Sequence, residues 1–333
     1  MNLQERKEIL VRLGNYLRAA DEDWQRATKK ASAENAWFTP EFIALSVNNI
    51  SRQFLTEQSL QDLIDRYSIP SDNPSPKKVG IVMAGNIPLV GFHDLLCTFL
   101  TGHYAVIKLS SKDAVLMRFM VTKLIEWNAA AAPYFTFGEM LKGCDVYIAT
   151  GSNNTSNYFE FYFAKYPHII RKNRTSVALL TGQESAVELE QLADDVYQFF
   201  GLGCRNVTKI FVPENYNFEP LLEAFKKYND LADHQKYKNN YDYNLAIYLL
   251  NKRYFMSNQS LLLVEDASPF SRIGELHYEY YQDAEAVRER LSGDETIQCV
   301  VGRGDVPFGK AQRPGICDFA DGVDTVQFLL NLQ

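Results

Sequence analysis

From Lys78 onward, short apolar runs alternate with segments that show helical spacing. Apolar runs of this length, bounded by turn residues, are typical of buried strands, and their alternation with helices indicates repeated strand–helix–strand units on a parallel sheet. Clear strand patterns fall at 79–83, 105–109, 146–149 and 176–180. The sequence therefore predicts an α/β protein.

The regions on either side of these units have different patterns. Residues 1–68 carry apolar positions at helical spacing and no strand pattern, so we expect helices there. One start signal is Thr39-Pro40-Glu41, a capping hydroxyl followed by a proline and an acid in the first turn. Beyond Val212 the alternation is less regular, which is typical of a second α/β lobe, and 323–330 fits either a closing helix or a returning strand.

Composition and charge exclude several classes of protein. The chain has 333 residues, 46% of them hydrophobic, which is typical of a globular protein. Its formal net charge of -7 argues against nucleic acid as the main partner and leaves only a local basic patch open. The N-terminus lacks the apolar core of a signal peptide and no segment has the apolar length of a membrane span, so we expect a cytoplasmic protein. The five cysteines form no CxxC pair and the five histidines no HxH or HxxxH pair, so neither a metal site nor a disulfide framework is indicated.

A single thiol occurs where a helix pattern stops and a strand pattern starts. Within 200–213, Gly201 and Gly203 end the helix, and Arg205 follows Cys204 directly. Backbone amides and a neighbouring cation lower the pKa of a thiol, and the thiolate is its reactive form, so this setting suits a nucleophile. Cys204 is the candidate nucleophile; the alternative is a buried structural cysteine.

Polar residues also follow the first two predicted strands. Open parallel sheets bind ligands at the carboxyl ends of their strands, so these loops are expected to line a site. Asn86 offers an amide donor that can stabilise an oxyanion, or it forms an ordinary turn. Lys108, with Ser110 and Ser111, can hold a ribose and a phosphate, although a lysine at a strand end is usually only solvated. The stretch 110–113 is also expected to cap the helix that follows, through Trp127.

The tripeptide Thr150-Gly151-Ser152 lies between the strand at 146–149 and the next helix. A GxGxxG fingerprint is absent, but the amides and hydroxyls at a helix N-terminus can still bind a pyrophosphate. A plain strand-to-helix turn capped by serine explains the tripeptide equally well.

Two further features favour structural roles. His168 is a candidate general base if the fold brings it to Cys204, but such a histidine more often completes a hydrogen-bond network. The aromatic run at 158–163 is expected to be helix core, not a surface that stacks nucleic acid bases.

The candidate segments follow one another in a characteristic order. Gly85-Asn86-Ile87-Pro88-Leu89 comes first, then Lys108 with Ser110-Ser111, then Thr150-Gly151-Ser152 and finally Gly203-Cys204. This order and spacing resemble the aldehyde dehydrogenase superfamily. Within it the chain is most similar to the LuxC-type acyl-CoA reductases, in the stretches 85–94 (GNIPLVGFHD), 108–113 (KLSSKD) and 321–325 (DGVDT).

This resemblance, over about residues 78–330, implies a role for each candidate. Cys204 would be the acylated nucleophile, and Asn86 would form an oxyanion hole with the Cys204 amide. The cofactor would be held at its adenosine ribose and its pyrophosphate by Lys108, Ser110, Ser111, Thr150, Gly151 and Ser152. Many NAD-preferring relatives have a glutamate in place of Ser111, and its absence here favours NADPH, with NADH also usable and no metal required.

One departure from the superfamily pattern bears on the reaction. Hydrolytic aldehyde dehydrogenases usually carry a Glu-Leu-Gly-Gly motif whose glutamate activates water, whereas the matching stretch here is 180–183 (LTGQ), with Glu184 beside it. Without that carboxylate an acyl-cysteine is expected to resist hydrolysis. The resemblance thus implies a reductase that converts acyl-CoA or acyl-carrier protein to an aldehyde. Another superfamily reductase, acting on an acyl phosphate or a semialdehyde, and a non-catalytic nucleotide-binding subunit stay open, and a homodimer is one assembly consistent with each.

The resemblance also predicts how the chain divides into domains. An aldehyde dehydrogenase-like protein has a Rossmann-type cofactor domain and a second α/β catalytic domain. We expect an N-terminal helical region at 1–70 that packs on the cofactor domain, and the dinucleotide-binding domain itself at 71–185. The catalytic domain with the thiol is expected at 186–310, and 311–333 is expected to return to the first domain.

Overall fold

The structure, a computed structural model, describes residues 1–151 and 153–332. The chain forms two compact units, one from Met1–Asn173 together with the segment from Pro314 onward, and the other from Arg174–Arg313. Each unit contains its own sheet with helices, which confirms the predicted α/β fold. None of the helices in the described part of the chain has the length and apolar character that a membrane crossing requires.

Helices alone make up the first 68 residues, as their pattern predicted. Their bounds are α1 Leu3–Ala19, α2 Glu22–Glu34, α3 Pro40–Gln53 and α4 Glu57–Tyr67. Local caps fix where they begin, because the first amides of a helix have no partner within it. The Thr39 hydroxyl accepts a hydrogen bond from the Phe42 amide, with Pro40 in the first turn, so the predicted start signal is confirmed.

The sheet of the first unit is parallel, with strand order β3-β2-β1-β4-β5. Its elements are β1 Lys78–Val82, α5 Phe92–Leu100, β2 Tyr104–Lys108, α6 Val115–Trp127, β3 Phe135–Phe137, β4 Val146–Thr150, α7 Asn153–Phe163 and β5 His168–Arg171. The sequence pattern predicts β1, β2 and β4 but not β3 or β5, because three or four residues are too few to show a period.

The second unit is built on another sheet, of order β11-β6-β7-β10-β9-β8, in which only the edge strand β8 is antiparallel to its neighbour within the described residues. Its elements are β6 Thr175–Leu179, α8 Ala186–Tyr197, β7 Val207–Pro213, α9 Glu219–Ala224, α10 Gln235–Leu250, β8 Met256–Ser257, β9 Leu262–Glu265, β10 Glu275–Tyr281, α11 Ala284–Ser292 and β11 Ile297–Gly302. Val177, Leu179 and Phe211 on the sheet pack with Val287 and Leu291 of α11.

The last element, α12 Thr325–Leu330, is the helical alternative for the C-terminal pattern. A buried ion pair connects this segment to the first sheet. Arg171, at the end of β5, makes two hydrogen bonds to the Asp94 carboxylate of α5, at 2.6 and 3.2 Å. The same guanidinium donates to the Ala320 carbonyl at 2.6 Å and to the Thr325 hydroxyl at 2.8 Å. Arg171 therefore joins β5, α5 and the C-terminal segment.

The expectation that the aromatic run of α7 is helix core is wrong. Tyr158, Phe161 and Tyr162 are 66%, 80% and 67% exposed. Only the face of α7 toward the sheet is covered, where Phe163 stacks on Tyr147 of β4 with ring centroids 4.0 Å apart. A helix that packs on a sheet with one face leaves aromatic residues on its other face in solvent.

Removing one partner of the Arg171–Asp94 pair is expected to destabilise the first unit. Arg171→Met leaves a buried carboxylate without its cation and should lower the free energy of unfolding by about 3–5 kcal/mol. Urea unfolding followed by circular dichroism measures this loss. Arg26→Ala, which removes an exposed ion pair with Asp23, should cost less than about 1 kcal/mol. Equal unfolding midpoints for the two variants would contradict the assignment.

Candidate active site

Three loops of the first unit meet at one edge of its sheet. Val82, the last residue of β1, is in register with Lys108 of β2 and with Ala149 of β4. Because the three strands are parallel, the loops that follow them leave from the same edge. The Met83 amide donates to the Lys108 carbonyl at 3.0 Å, so β1 and β2 stay paired up to the start of the Asn86 loop. This carboxyl edge is where open parallel sheets bind ligands.

The predicted cofactor-binding and oxyanion residues of this unit are accessible at that edge. Asn86, Lys108 and Ser111 are exposed, and Ser110, Thr150 and Gly151 are half-buried. Ser152, the remaining predicted residue, lies outside the described residues. The structure thus brings the loops of these residues to one edge, and their binding roles stay predictions.

Gly85 and Ser110 set the spacing between two of the loops. Gly85 is buried, and a Cβ atom on it would lie 2.5 Å from Ser110 Oγ and 2.8 Å from Ser110 Cβ. No real side chain fits at that distance, so the loop with Asn86 approaches the loop with Ser110 as closely as a glycine permits. Ser110 Oγ also accepts a hydrogen bond from the Lys112 amide at 3.2 Å, which fixes its own turn.

Asp113 has a role that the sequence pattern did not reveal. The pattern predicts that 110–113 caps α6, but Ala114 occupies the cap position and no side chain caps the helix. Asp113 Oδ2 instead accepts a hydrogen bond from the Leu89 amide at 2.6 Å. Burial raises the pKa of Asp113 to about 7, against the lowering effect of that bond. The carboxyl group thus binds the Asn86 loop, at Leu89, which precedes Asp113 by 24 residues in the chain.

Gly151 allows α7 to close on the end of β4. A Cβ atom at this position would lie 3.0 Å from Thr155 Cβ and 3.1 Å from the Phe159 ring. The Gly151 amide donates to the Arg171 carbonyl at 3.3 Å, which continues the pairing of β4 with β5. The N-terminus of α7, whose first amides have no partner within the helix, therefore lies at the carboxyl edge of the sheet.

Cys204 lies in the second unit, in the turn before β7. Cys204 is partly exposed, as are Cys299 and Cys317, whereas Cys97 and Cys144 are buried and burial raises the pKa of both thiols. The Cys204 carbonyl accepts a hydrogen bond from Ser176 Oγ at 3.1 Å, at the start of β6. Cys204 therefore sits where β6 and β7 begin, and its partial exposure does not fit the alternative of a buried structural cysteine.

A second thiol lies beside this turn. Cys299 Sγ of β11 is 3.1 Å from the same Ser176 hydroxyl that bonds the Cys204 carbonyl. Burial raises the pKa of Cys299, and bonds to Ser176 and Arg205 oppose this rise. The cation that follows Cys204 in sequence thus lowers the pKa of the Cys299 thiol.

Asn206 organises the turn of Cys204 and was not identified from the sequence, since a lone asparagine carries no motif. It is fully buried, and its Oδ1 accepts a hydrogen bond from the Gly203 amide at 2.8 Å. Its Nδ2 donates to the carbonyls of Asp195, Val196 and Gln198. Phe199 and Phe200 have φ angles of 54° and 57°, in the left-handed region. One side chain therefore supplies the hydrogen bonds that this irregular backbone cannot make to itself.

The candidate acid–base groups have partners of their own. Glu184, the carboxylate beside the 180–183 stretch, accepts hydrogen bonds from the Thr181 amide at 2.6 Å and the Gly182 amide at 3.0 Å. His168, in the first unit, lies 3.4 Å from the Glu160 carboxylate. Within residues 1–151 and 153–332, no cluster of His, Cys, Asp or Glu side chains is arranged to hold a metal ion.

Comparison with known proteins adds the family. Residues 51–227, just over half of the chain, match the family described as acyl-CoA reductase (LuxC). The chain belongs to this family. No curated protein sequence matches the chain. Membership of the LuxC family indicates that the protein is an oxidoreductase that acts on aldehydes, and the fold described next agrees with this.

Solved aldehyde dehydrogenase structures share the fold of this LuxC family member. A putative aldehyde dehydrogenase from Burkholderia cenocepacia has a TM-score of 0.61 at 13% identity, over 86% of this chain and 71% of that one. Aldehyde dehydrogenase 21 from Physcomitrella patens, in complex with succinate, has a TM-score of 0.65 at 12% identity, over 91% and 74%. The Mycobacterium tuberculosis enzyme complexed with NAD+ has a TM-score of 0.63 at 12% identity, over 86% and 70%. The predicted aldehyde dehydrogenase-like fold is confirmed.

Asn206→Ala should loosen the turn that carries Cys204. The variant leaves the Gly203 amide and three carbonyls without this partner, and even one unsatisfied buried group costs about 1–3 kcal/mol. We expect a loss of at least about 2 kcal/mol in urea unfolding and faster amide hydrogen exchange in 199–206. Asn217→Ala is the matched control, because this asparagine is exposed and its side chain accepts a hydrogen bond from the Glu219 amide. If both variants exchange at the wild-type rate in 199–206, Asn206 does not organise the turn.

Proposed function

We propose that this LuxC family member reduces an acyl thioester, acyl-CoA or acyl-carrier protein, to an aldehyde with NADPH through an acyl-cysteine on Cys204. The observation that carries the proposal is the setting of Cys204. The residue is partly exposed, in a turn that is fixed by the fully buried Asn206 and by Ser176. A nucleophile needs both access and a fixed position, whereas a structural cysteine needs neither.

The carboxyl edge of the first sheet has the groups that a dinucleotide requires. At Gly151 a side chain would crowd Thr155 and Phe159 of α7, whose N-terminal amides suit a pyrophosphate. Thr150, Gly151 and Ser152 would hold that pyrophosphate. The adenosine ribose would be held by Lys108, Ser110 and Ser111. When bound, the nicotinamide supplies a hydride.

Acyl transfer starts with the Cys204 thiolate. The sulfur attacks the thioester carbonyl carbon, a new carbon–sulfur bond forms, and the carbonyl oxygen takes up negative charge. Asn86 Nδ2 and the Cys204 amide donate hydrogen bonds to that oxygen. The original carbon–sulfur bond then breaks and the carrier leaves as its thiolate, so the acyl group is now on Cys204.

The same two donors would act again when the acyl group on Cys204 is reduced. Reduction would give a thiohemiacetal, and Asn86 Nδ2 and the Cys204 amide are proposed to donate hydrogen bonds to its oxyanion. Its collapse breaks the bond to sulfur, releases the aldehyde and restores the thiolate. The 180–183 stretch supplies no carboxylate that activates water, and Glu184 is bonded to its own turn. The acyl-cysteine therefore persists long enough to be reduced.

Acyl transfer to Cys204 can be measured directly. Incubation with a panel of acyl thioesters should add one acyl mass to the wild type, located on Cys204 by peptide mass spectrometry, and none to Cys204→Ser. Cys317→Ser is the matched control, because Cys317 is also partly exposed, and it should label like the wild type. Asn86→Ala should acylate about 10²–10³-fold more slowly because one oxyanion donor is missing. Labelling that survives in Cys204→Ser, or none in the wild type with any thioester, would refute the proposal.

The choice of cofactor depends on charge at the ribose. Lys108 supplies a positive charge and Ser111 no negative charge, so neither repels the 2′-phosphate of NADPH. We expect kcat/KM to be higher with NADPH than with NADH. Ser111→Glu should reverse this preference, since the new carboxylate repels a 2′-phosphate and accepts hydrogen bonds from ribose hydroxyls. Ser75→Glu adds the same charge at another exposed serine of this unit and should leave the preference unchanged. A wild type that prefers NADH would contradict the assignment.

A further inference from the structure

We propose that Asp113 is a positioning residue for the oxyanion hole: it fixes the loop that carries Asn86 and so acts on acyl transfer through Asn86. This inference rests on the proposed function. It assigns a role in the reaction to a carboxyl group that touches neither substrate nor cofactor. Its basis is the way in which the Asn86 loop is anchored.

The anchor is a short, buried hydrogen bond. Asp113 is 7% exposed, and its Oδ2 accepts from the Leu89 amide at 2.6 Å. Leu89 has a φ angle of 61°, in the left-handed region that a leucine avoids. That conformation costs about 1–2 kcal/mol for a residue with a Cβ atom, so it persists only where contacts impose it. The Asp113 carboxyl supplies one of these contacts.

The loop is anchored on both sides of Asn86. On the N-terminal side, Gly85 is pressed against Ser110. On the C-terminal side, the Pro88 carbonyl accepts a hydrogen bond from Ser46 Oγ at 2.7 Å, and Leu89 follows with its bond to Asp113. Asn86 itself is exposed. The backbone is thus fixed one residue before Asn86 and two and three residues after it, and the Asp113 bond is the last of these contacts.

A contribution to the stability of the fold does not by itself explain a buried carboxyl group at position 113. Its Oδ1 has no hydrogen-bond partner among the described residues. Burial raises the pKa of Asp113 to about 7, which reflects the cost of ionising it there. An apolar side chain of similar size would be less costly to bury but could not accept from the Leu89 amide. The acceptor atom is what this position contributes.

A double-mutant cycle tests the proposal, with the single-turnover rate of Cys204 acylation as the readout. A small shift of a group that stabilises the transition state can cost about tenfold to a hundredfold in rate, so Asp113→Ala should slow acylation by that factor. The Kd for NADPH should stay within about twofold, because the acceptor is bonded to the Asn86 loop and not to the predicted cofactor residues. Asp113→Asn keeps an acceptor oxygen and should recover most of the rate.

The decisive variant combines Asp113→Ala with Asn86→Ala. If Asp113 acts through Asn86, the double variant acylates as slowly as Asn86→Ala alone, because the donor that Asp113 positions is already absent. Asp113→Leu fills the same space without an acceptor. If Asp113→Ala does not fold, Asp113→Leu replaces it in the cycle, and the same loss of acylation rate is expected.

Three results would overturn the inference. They are a wild-type acylation rate in folded Asp113→Ala or Asp113→Leu, the same fold-loss in the presence and absence of Asn86, and an Asp113→Asn variant as slow as Asp113→Ala. If the wild type acylates Cys204 and Asn86→Ala is slow, these results refute the role of Asp113 alone. A wild type that no thioester acylates refutes the proposed function and this inference together.

Discussion

Parallel pairing of β1 with β2 on one side and β4 on the other is the constraint on which the first unit depends. It brings the ends of these strands into register, so that loops far apart in sequence leave the sheet at one edge. The predicted Asn86, Lys108 and Thr150 loops share that edge for this reason alone. Open parallel sheets bind ligands at this edge, so the lack of a GxGxxG fingerprint does not conflict with the proposed dinucleotide site.

Both candidate catalytic loops depend on a buried polar side chain. Asp113 bonds the amide of Leu89, and Asn206 bonds the Gly203 amide and three carbonyls. The backbone in each place has left-handed φ angles and cannot pair within a helix or strand. A buried amide or carbonyl without a partner is costly, so a side chain from elsewhere must supply it. These two residues explain why irregular loops can present Asn86 and Cys204 in fixed positions.

Sequence reasoning succeeded where a pattern repeats and failed where a single contact decides. The helices of the first 68 residues and the strands at 79–83 and 105–109 follow from periodicity, which many residues establish together. The aromatic run of α7 was misassigned, because periodicity shows that a helix has an apolar face but not which part of it a sheet covers. Asp113 was misassigned as a cap, because local spacing cannot reveal an acceptor bonded 24 residues away.

The sequence by itself determined the α/β class, the order of the candidate segments and the resemblance to the LuxC acyl-CoA reductases, since these depend on composition, period and motif order. Only the tertiary structure decided that Cys204 is partly exposed, that 325–330 is a helix, and that Asp113 and Asn206 hold the two loops. The physical reason is that burial and long-range hydrogen bonds belong to pairs of residues distant in the chain, and no local pattern encodes them.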